Sequence, residues 1–409
     1  MRRLGTVRRA ARAGADSPSS SNGHTRVPTR WLLLTAVAAG ALALALGLTF
    51  GLRGDASDTP GVSGRLQSLL QAAGPLVVFS EFGEEADTLW AANPDDPADR
   101  FQLGRVSHAF GYGITPALSP DGKHVAYTVL PADGASAELW SLDTASGDTS
   151  RLAQGVDLMT GPVWSPASDA VVVRRGVWSE GGGASVQLVR VQMNGAEAQV
   201  ASAEADLYPI DFSPDGARFY YAVVTSTGTE LAQAPAAGGG PAQTVAHLSD
   251  GFSRDWRLSP DGTQLAYLGQ APHNAGVAFV VQVLDLQTRQ VAAPLAGAGA
   301  ALFNPLWERD GLLTVGRVDD GGAPVGIAMS GVDAGLQAQS LPRQAGGRGF
   351  DVPLSWSPDG VHLAVRSFQG NSTANPGPSY VEVLASDGGR QRLSPLSDVI
   401  IAGWLEVAP

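Results

Sequence analysis

Six histidines are the imidazoles this chain offers for chemistry: His24, His108, His124, His247, His273 and His362. A protein-built metal site needs them clustered, and neither a His-x-x-x-His pair nor a glutamate-paired zinc spacing occurs. His124 and His362 each lie two residues past a turn glycine, where Arg218 and Gln264 stand in sister segments. That reads as a generic exposed polar position. His108 differs, because it falls in a loop between two strand-like runs. Cysteine is absent, which excludes disulfides and thiolate chemistry. No Gly-x-Ser-x-Gly elbow appears. The acidic clusters Glu81/Glu84/Glu85 and Asp95/Asp96/Asp99 fit no calcium loop. Gly181–Gly183 and Gly238–Gly240 precede no helix and so make no phosphate cradle. A carboxylate pair for glycoside hydrolysis would have to meet from distant positions, and nothing singles one out. The sequence therefore implies no catalytic residue, no metal and no cofactor.

What remains is recognition chemistry. Aromatic and charged residues gather in a set of loops: His108, Phe110 and Tyr112; Tyr208; Phe252, Arg254 and Asp255; Arg348, Phe350 and Asp351. Aromatics and arginine dominate binding hot spots. The expectation is one docking face built from these loops, whose partner is another envelope protein or a cell-wall ligand.

The elements that position these loops repeat. Ser-Pro-Asp-Gly stands at Ser119–Gly122, Ser213–Gly216, Ser259–Gly262 and Ser357–Gly360. Degenerate copies begin at Ser165 and Glu308, filling the two double-length gaps so that the spacing is nearly constant. Proline presets φ for a turn, aspartate bonds nearby backbone, and glycine accepts positive φ. The turn roles thus fall to Asp121, Gly122, Asp215, Gly216, Asp261, Gly262, Asp359 and Gly360. A bulky apolar residue precedes each turn (Leu118, Trp164, Phe212, Leu258, Trp307, Trp356), and a β-rich run follows it. A period of roughly 40–50 residues with strand patterning predicts a β-propeller.

Three strand-like runs before the first turn, Leu76–Ser80, Thr88–Ala92 and Phe101–Leu103, lack an inner partner. Val399–Trp404 is an inner strand without its outer three, and Trp404 keeps register one repeat beyond Trp356. The fold class is therefore all-β: a seven-bladed β-propeller over residues 76–409, with six or eight blades as alternatives, closed by the C-terminal strand. The chain resembles the TolB-type (WD40-like) propeller repeat across roughly residues 76–405. The features that carry the resemblance are the apolar residue, Ser-Pro-Asp-Gly and the following Ala/aromatic strand. Such repeats occur in TolB, in prolyl oligopeptidase-like enzymes and in oligogalacturonate lyases. The resemblance implies an envelope interaction module. The chain departs from TolB in having only residues 53–75 ahead of the propeller, too few for an N-terminal α/β domain.

Residues 1–30 carry seven arginines against Asp16 and read as a disordered basic cytoplasmic tail. Trp31–Leu52 carries no charge and is long enough to cross a bilayer as one helix. The arginine bias puts the N-terminus inside and the propeller on the extracytoplasmic side of the cytoplasmic membrane; secretion after signal cleavage is the alternative. In the spacer 53–75, Ser63 is placed to cap a short helix carrying Leu66, Leu69, Leu70 and Ala73, ended by Gly74-Pro75. With +6 in the tail, the net charge of −12 leaves −18 for residues 31–409, which argues against nucleic acid as a partner. The reading is a membrane-anchored binding scaffold; the alternative is a propeller enzyme acting on a carbohydrate or peptide at the channel mouth.

Overall fold

Ser-Pro-Asp-Gly makes its turn by a fixed set of bonds. In the computed structural model, Ser119 Oγ donates to Asp121 Oδ1 (2.7 Å), while the amides of Lys123 and His124 donate to Asp121 Oδ1 (3.1 Å) and Ser119 Oγ (3.0 Å). The same triangle recurs at Ser213/Asp215, Ser259/Asp261 and Ser357/Asp359. Gly122 closes it at φ 71°, a left-handed conformation that disfavours any side chain. The serine hydroxyl holds the carboxyl of Asp215, and likewise that of Asp261, below the usual carboxylate range. These aspartates are turn caps.

The structure describes residues 62–178, 184–273, 276–293, 300–308, 311–319, 324–331, 339–340, 349–370 and 375–406. Its strands form seven four-stranded antiparallel sheets in an all-β propeller, six of them simple meanders of consecutive strands. The inner strands are Val399–Leu405, Thr115–Leu118, Val163–Trp164, Asp206–Phe212, Arg254–Leu258, Ala300–Trp307 and Phe350–Trp356, which we number as sheets 1 to 7. Each inner strand neighbours the next, and that of sheet 7 neighbours that of sheet 1, so the sheets form a ring. Sheet 1 combines the two ends of the chain: Val399–Leu405 pairs with Leu76–Glu81, matching Val77 with Trp404. Ala86–Ala92 and Arg100–Ser107 complete it.

Four tryptophans near the ends of inner strands tie neighbouring sheets together. Trp164 Nε1 donates to Ala117 O (2.9 Å), and Trp307 Nε1 to Arg257 O (2.9 Å). Trp356 Nε1 reaches Thr314 Oγ1 and Trp404 Nε1 reaches Ser355 Oγ, both at 3.1 Å. Each indole therefore buries apolar area between sheets while satisfying its own donor. At the other end, Thr128 Oγ1 bonds Leu158 O (3.0 Å), Arg174 Nε bonds Leu207 O (3.0 Å), and Arg366 bonds Ser397 O and Val399 O. These three occupy one and the same position of the repeat, counted from the turn serine.

The helix Val62–Ala73 docks Leu66, Leu69 and Leu70 into the core shared by sheets 1 and 2. It starts one residue before Ser63, so Ser63 lies inside the first turn and is not its cap. Gly74, at φ 73°, donates to Leu70 O (3.0 Å) and ends the helix. Among the described residues no helix is long and apolar enough to cross a membrane. The basic tail and residues 31–52 lie outside the described residues, as does Arg348.

Candidate functional site

Alternation along the strands sends the described repeat turns to one end of the ring and the described loops entering the inner strands to the other. The turns touch in succession: Asp121 N donates to Ser168 Oγ (3.1 Å), and Gly262 abuts Pro214. The opposite face gathers loops 82–85, 108–114, 155–162, 250–253 and 393–398.

Large apolar side chains reach solvent mainly on this loop face. Of eight such residues among those described, five stand there: Phe110 (68% exposed), Tyr112 (53%), Met159 (84%), Phe252 and Leu396, while Ile400 lies in the inner strand Val399–Leu405. Val291 and Val361 are the other two. Leu396, the Phe110/Tyr112 pair and Met159 come from three consecutive sheet junctions, so they form an arc along the rim. Scattered exposed apolar residues need no explanation, but a set confined to one face does.

The loops that present them are pinned from beneath. Asp87 is buried and accepts from His108 Nε2 (3.0 Å), Ile114 N (2.9 Å) and Gly83 N (3.1 Å). The other ring nitrogen of His108, Nδ1, lies 2.8 Å from Ala109 O, and the ring stacks on Phe82. Thr229 holds the same place in sheet 4: its hydroxyl donates to Gly251 O (2.9 Å) and accepts from Ser253 N (3.0 Å). Both residues are second in their strands, and each steadies a loop with an exposed aromatic tip.

A second cluster adjoins Phe252. Its ring meets Trp256 edge-on, Trp256 tilts against Tyr208 (5.6 Å between centroids), and the Arg174 guanidinium lies over Tyr208. Arg254 pairs with Asp255 (3.3 Å) and lies over Phe279. Asp255 holds φ 57°, a left-handed conformation that aspartate tolerates better than most residues.

Sequence reasoning placed ten residues on this face, and the structure divides them. Phe110, Tyr112, Phe252 and Arg254 are exposed there, with Tyr208 and Asp255 half-buried beside them. His108 is buried and cannot contact a partner: it is sealed by Asp87 and Phe82. Phe350 is likewise buried, stacked on Phe368 with Phe303 at its edge. Asp351 is buried against Arg390, which also bonds Glu382 (3.1 Å). All three residues shape loops and do not present a surface. His362, expected to be exposed, is buried with Nε2 3.1 Å from Asp95 and its ring on Trp404; His124 stacks in the same way on Trp164. Met159, Leu396 and Trp256 were missed. Among the described residues no group of three or more metal-ligating side chains forms.

No family model and no curated protein sequence matches the chain. Solved structures do resemble it. TolB from Acinetobacter baumannii is 17% identical, with a TM-score of 0.47 over 81% of this chain and 66% of that one. Acylaminoacyl peptidase from Pyrococcus horikoshii is 12% identical, with a TM-score of 0.54 over 78% and 50%. The β-propeller domain of the Trilobed protease from Pyrococcus furiosus, described as having an open velcro topology, is 12% identical, with a TM-score of 0.50 over 78% and 96%. The chain thus spans about two thirds of that TolB and half of the acylaminoacyl peptidase. At these identities the shared feature is the propeller fold.

Proposed function

We propose that this chain is a membrane-anchored, extracytoplasmic, seven-bladed TolB-type propeller that works as a binding scaffold in the cell envelope. Its loop face captures another envelope protein, or else a cell-wall ligand. The observation that supports this reading is the gathering of five of the eight exposed large apolar side chains on the loops of that face. Tyrosine, phenylalanine and methionine on steadied loops offer contact area with little ordering cost. The charge of −18 over residues 31–409 favours a partner with a basic surface and disfavours nucleic acid. The uncharged stretch 31–52 behind an arginine-rich tail supports the anchor and its orientation.

The test is crosslinking of the full chain in its native membrane, comparing wild type with Phe110→Ala/Tyr112→Ala. Recovery of one recurrent envelope protein, lost in the double variant at unchanged fold and abundance, is the expected result. Equal recovery from both would refute the docking face.

A further inference from the structure

Aligning the repeats in register isolates one ring of seven positions, each one residue before the bulky anchor. Its occupants are Ala117, Val163, Asp211, Arg257, Leu306, Ser355 and Gly403. The ionisable pair, Asp211 and Arg257, stands on neighbouring inner strands. Both line a cavity of about 500 Å³ at the turn-side mouth of the channel, opposite the docking face. Pro120, Pro166, Pro214 and Pro260 of the repeat turns wall this cavity, together with Trp164, Phe212 and Trp307.

Arg257 is solvent-accessible there and forms no ion pair at contact distance, although Asp211 and Asp255 lie near it. Nη1 donates to the adjoining Trp256 O (3.0 Å), and among the described residues no carboxylate lies within 4.0 Å of the guanidinium. Arg100, Arg151, Arg174, Arg175, Arg190 and Arg390 each hold one. Asp211 Oδ1 accepts from Phe212 N (2.7 Å). A solvent-accessible guanidinium with open donors, in a cavity also lined by flat apolar rings, matches a carboxylate that carries an apolar group. The fork takes the two oxygens, and the rings take the rest. We propose that the turn-side mouth of the channel is a binding site for such a ligand, gripped by Arg257 and packed on the repeat prolines, Trp164, Phe212 and Trp307.

Asp211 tunes the site. Its ionised form opposes an incoming carboxylate and its neutral form does not, and burial pushes its carboxyl up to about 6. The groups facing it are Arg257 and, beside Arg257, Asp255; its register partner is Tyr220. Val163–Trp164, on the other side, carries no ionisable group. Arg174, from the adjoining sheet, is engaged with Asp206 at the far end of the strand. Binding should therefore strengthen as pH falls through about 6.

Two sources share this chemistry: a free small acid and the C-terminus of a peptide. The purified full chain, without any partner, is titrated calorimetrically at pH 5.5 and 8 with 3-phenylpropionate, with acetyl-Ala-Ala-Phe and with its C-terminal amide. Expected are binding of both acids, at least tenfold weaker binding of the amide, and a tenfold loss in Arg257→Gln. A peptide acid that binds tenfold tighter than 3-phenylpropionate supports the site with a chain terminus as its ligand; equal affinities support it with a small acid. Should Arg257→Gln not fold, Asp211→Asn decides, because it should bind more tightly at pH 8 and flatten the pH dependence. Absence of binding by either acid at millimolar concentration overturns the proposal. So does affinity untouched by Arg257→Gln, or by Asp211→Asn where that variant decides.

Discussion

Replacing Asp211 by asparagine should stabilise the propeller increasingly as pH rises from about 4 to about 6, and fully above that. Burial lifts the Asp211 carboxyl from 3.8 to about 6, against the opposing Phe212 amide and Arg257 charge. The folded state therefore holds this proton more tightly than the unfolded chain does. Its contribution to stability is greatest below pH 4 and is lost as pH rises from 4 to 6. A lift of roughly two units corresponds to about 3 kcal/mol at 1.36 kcal/mol per unit. Asp211 keeps partial contact with water in the channel, which trims the expected effect to about 1–2 kcal/mol. Asparagine keeps the shape and can still accept from Phe212 N, but it cannot ionise. Guanidinium unfolding of both proteins at pH 4.5 and 7.5 measures the difference, in which carboxylates common to both cancel. That cancellation matters because Asp169, Glu197 and Asp261, held low by their partners, weaken the fold as pH falls and so act in the opposite direction. The variant should gain that full amount at pH 7.5 and much less at pH 4.5. An equal difference at both pH values, or a more stable wild type at pH 7.5, would refute this account of the channel.

Asp87→Ala should cost on the order of 3 kcal/mol, since it strands His108 Nε2 and the amides of Ile114 and Gly83. Hydrogen exchange should accelerate across 108–114 and leave the turn-side end unchanged. Trp404→Phe removes the bond to Ser355 Oγ and part of the buried indole, so a loss on the order of 1–3 kcal/mol is expected in chemical denaturation. Phe110→Ala/Tyr112→Ala should leave the unfolding midpoint within about 0.5 kcal/mol of wild type, because both side chains are exposed, while partner capture falls.

The propeller was legible in the sequence because its information is local and repeated. Pro-Asp-Gly encodes a turn within one short motif, and the spacing of Trp356 and Trp404 encodes closure without any long-range inference. Side-chain exposure was not local. His108 is buried by Asp87, 21 residues away, and Asp351 by Arg390, 39 residues away. Nothing near either residue announces its partner. Met159 and Leu396 are single apolar residues in polar loops and so carry no periodicity to detect. Asp211 and Arg257 look ordinary in isolation; they become conspicuous once the seven inner strands are laid in register.

The pairing of Leu76–Glu81 with Val399–Leu405 sets an order of events in biosynthesis. Val77 meets Trp404 across nearly the whole length of the propeller, so the loop closes only once Val399–Leu405 has left the ribosome. Until then Leu76–Phe79, fully buried in the finished ring, line an open and strongly apolar sheet edge. A chain cut short before Val399 keeps that edge and six complete sheets, and it should associate with itself or be degraded. The strand Val399–Leu405 thus acts as a proofreading step: only a chain translated through it can seal its own ring.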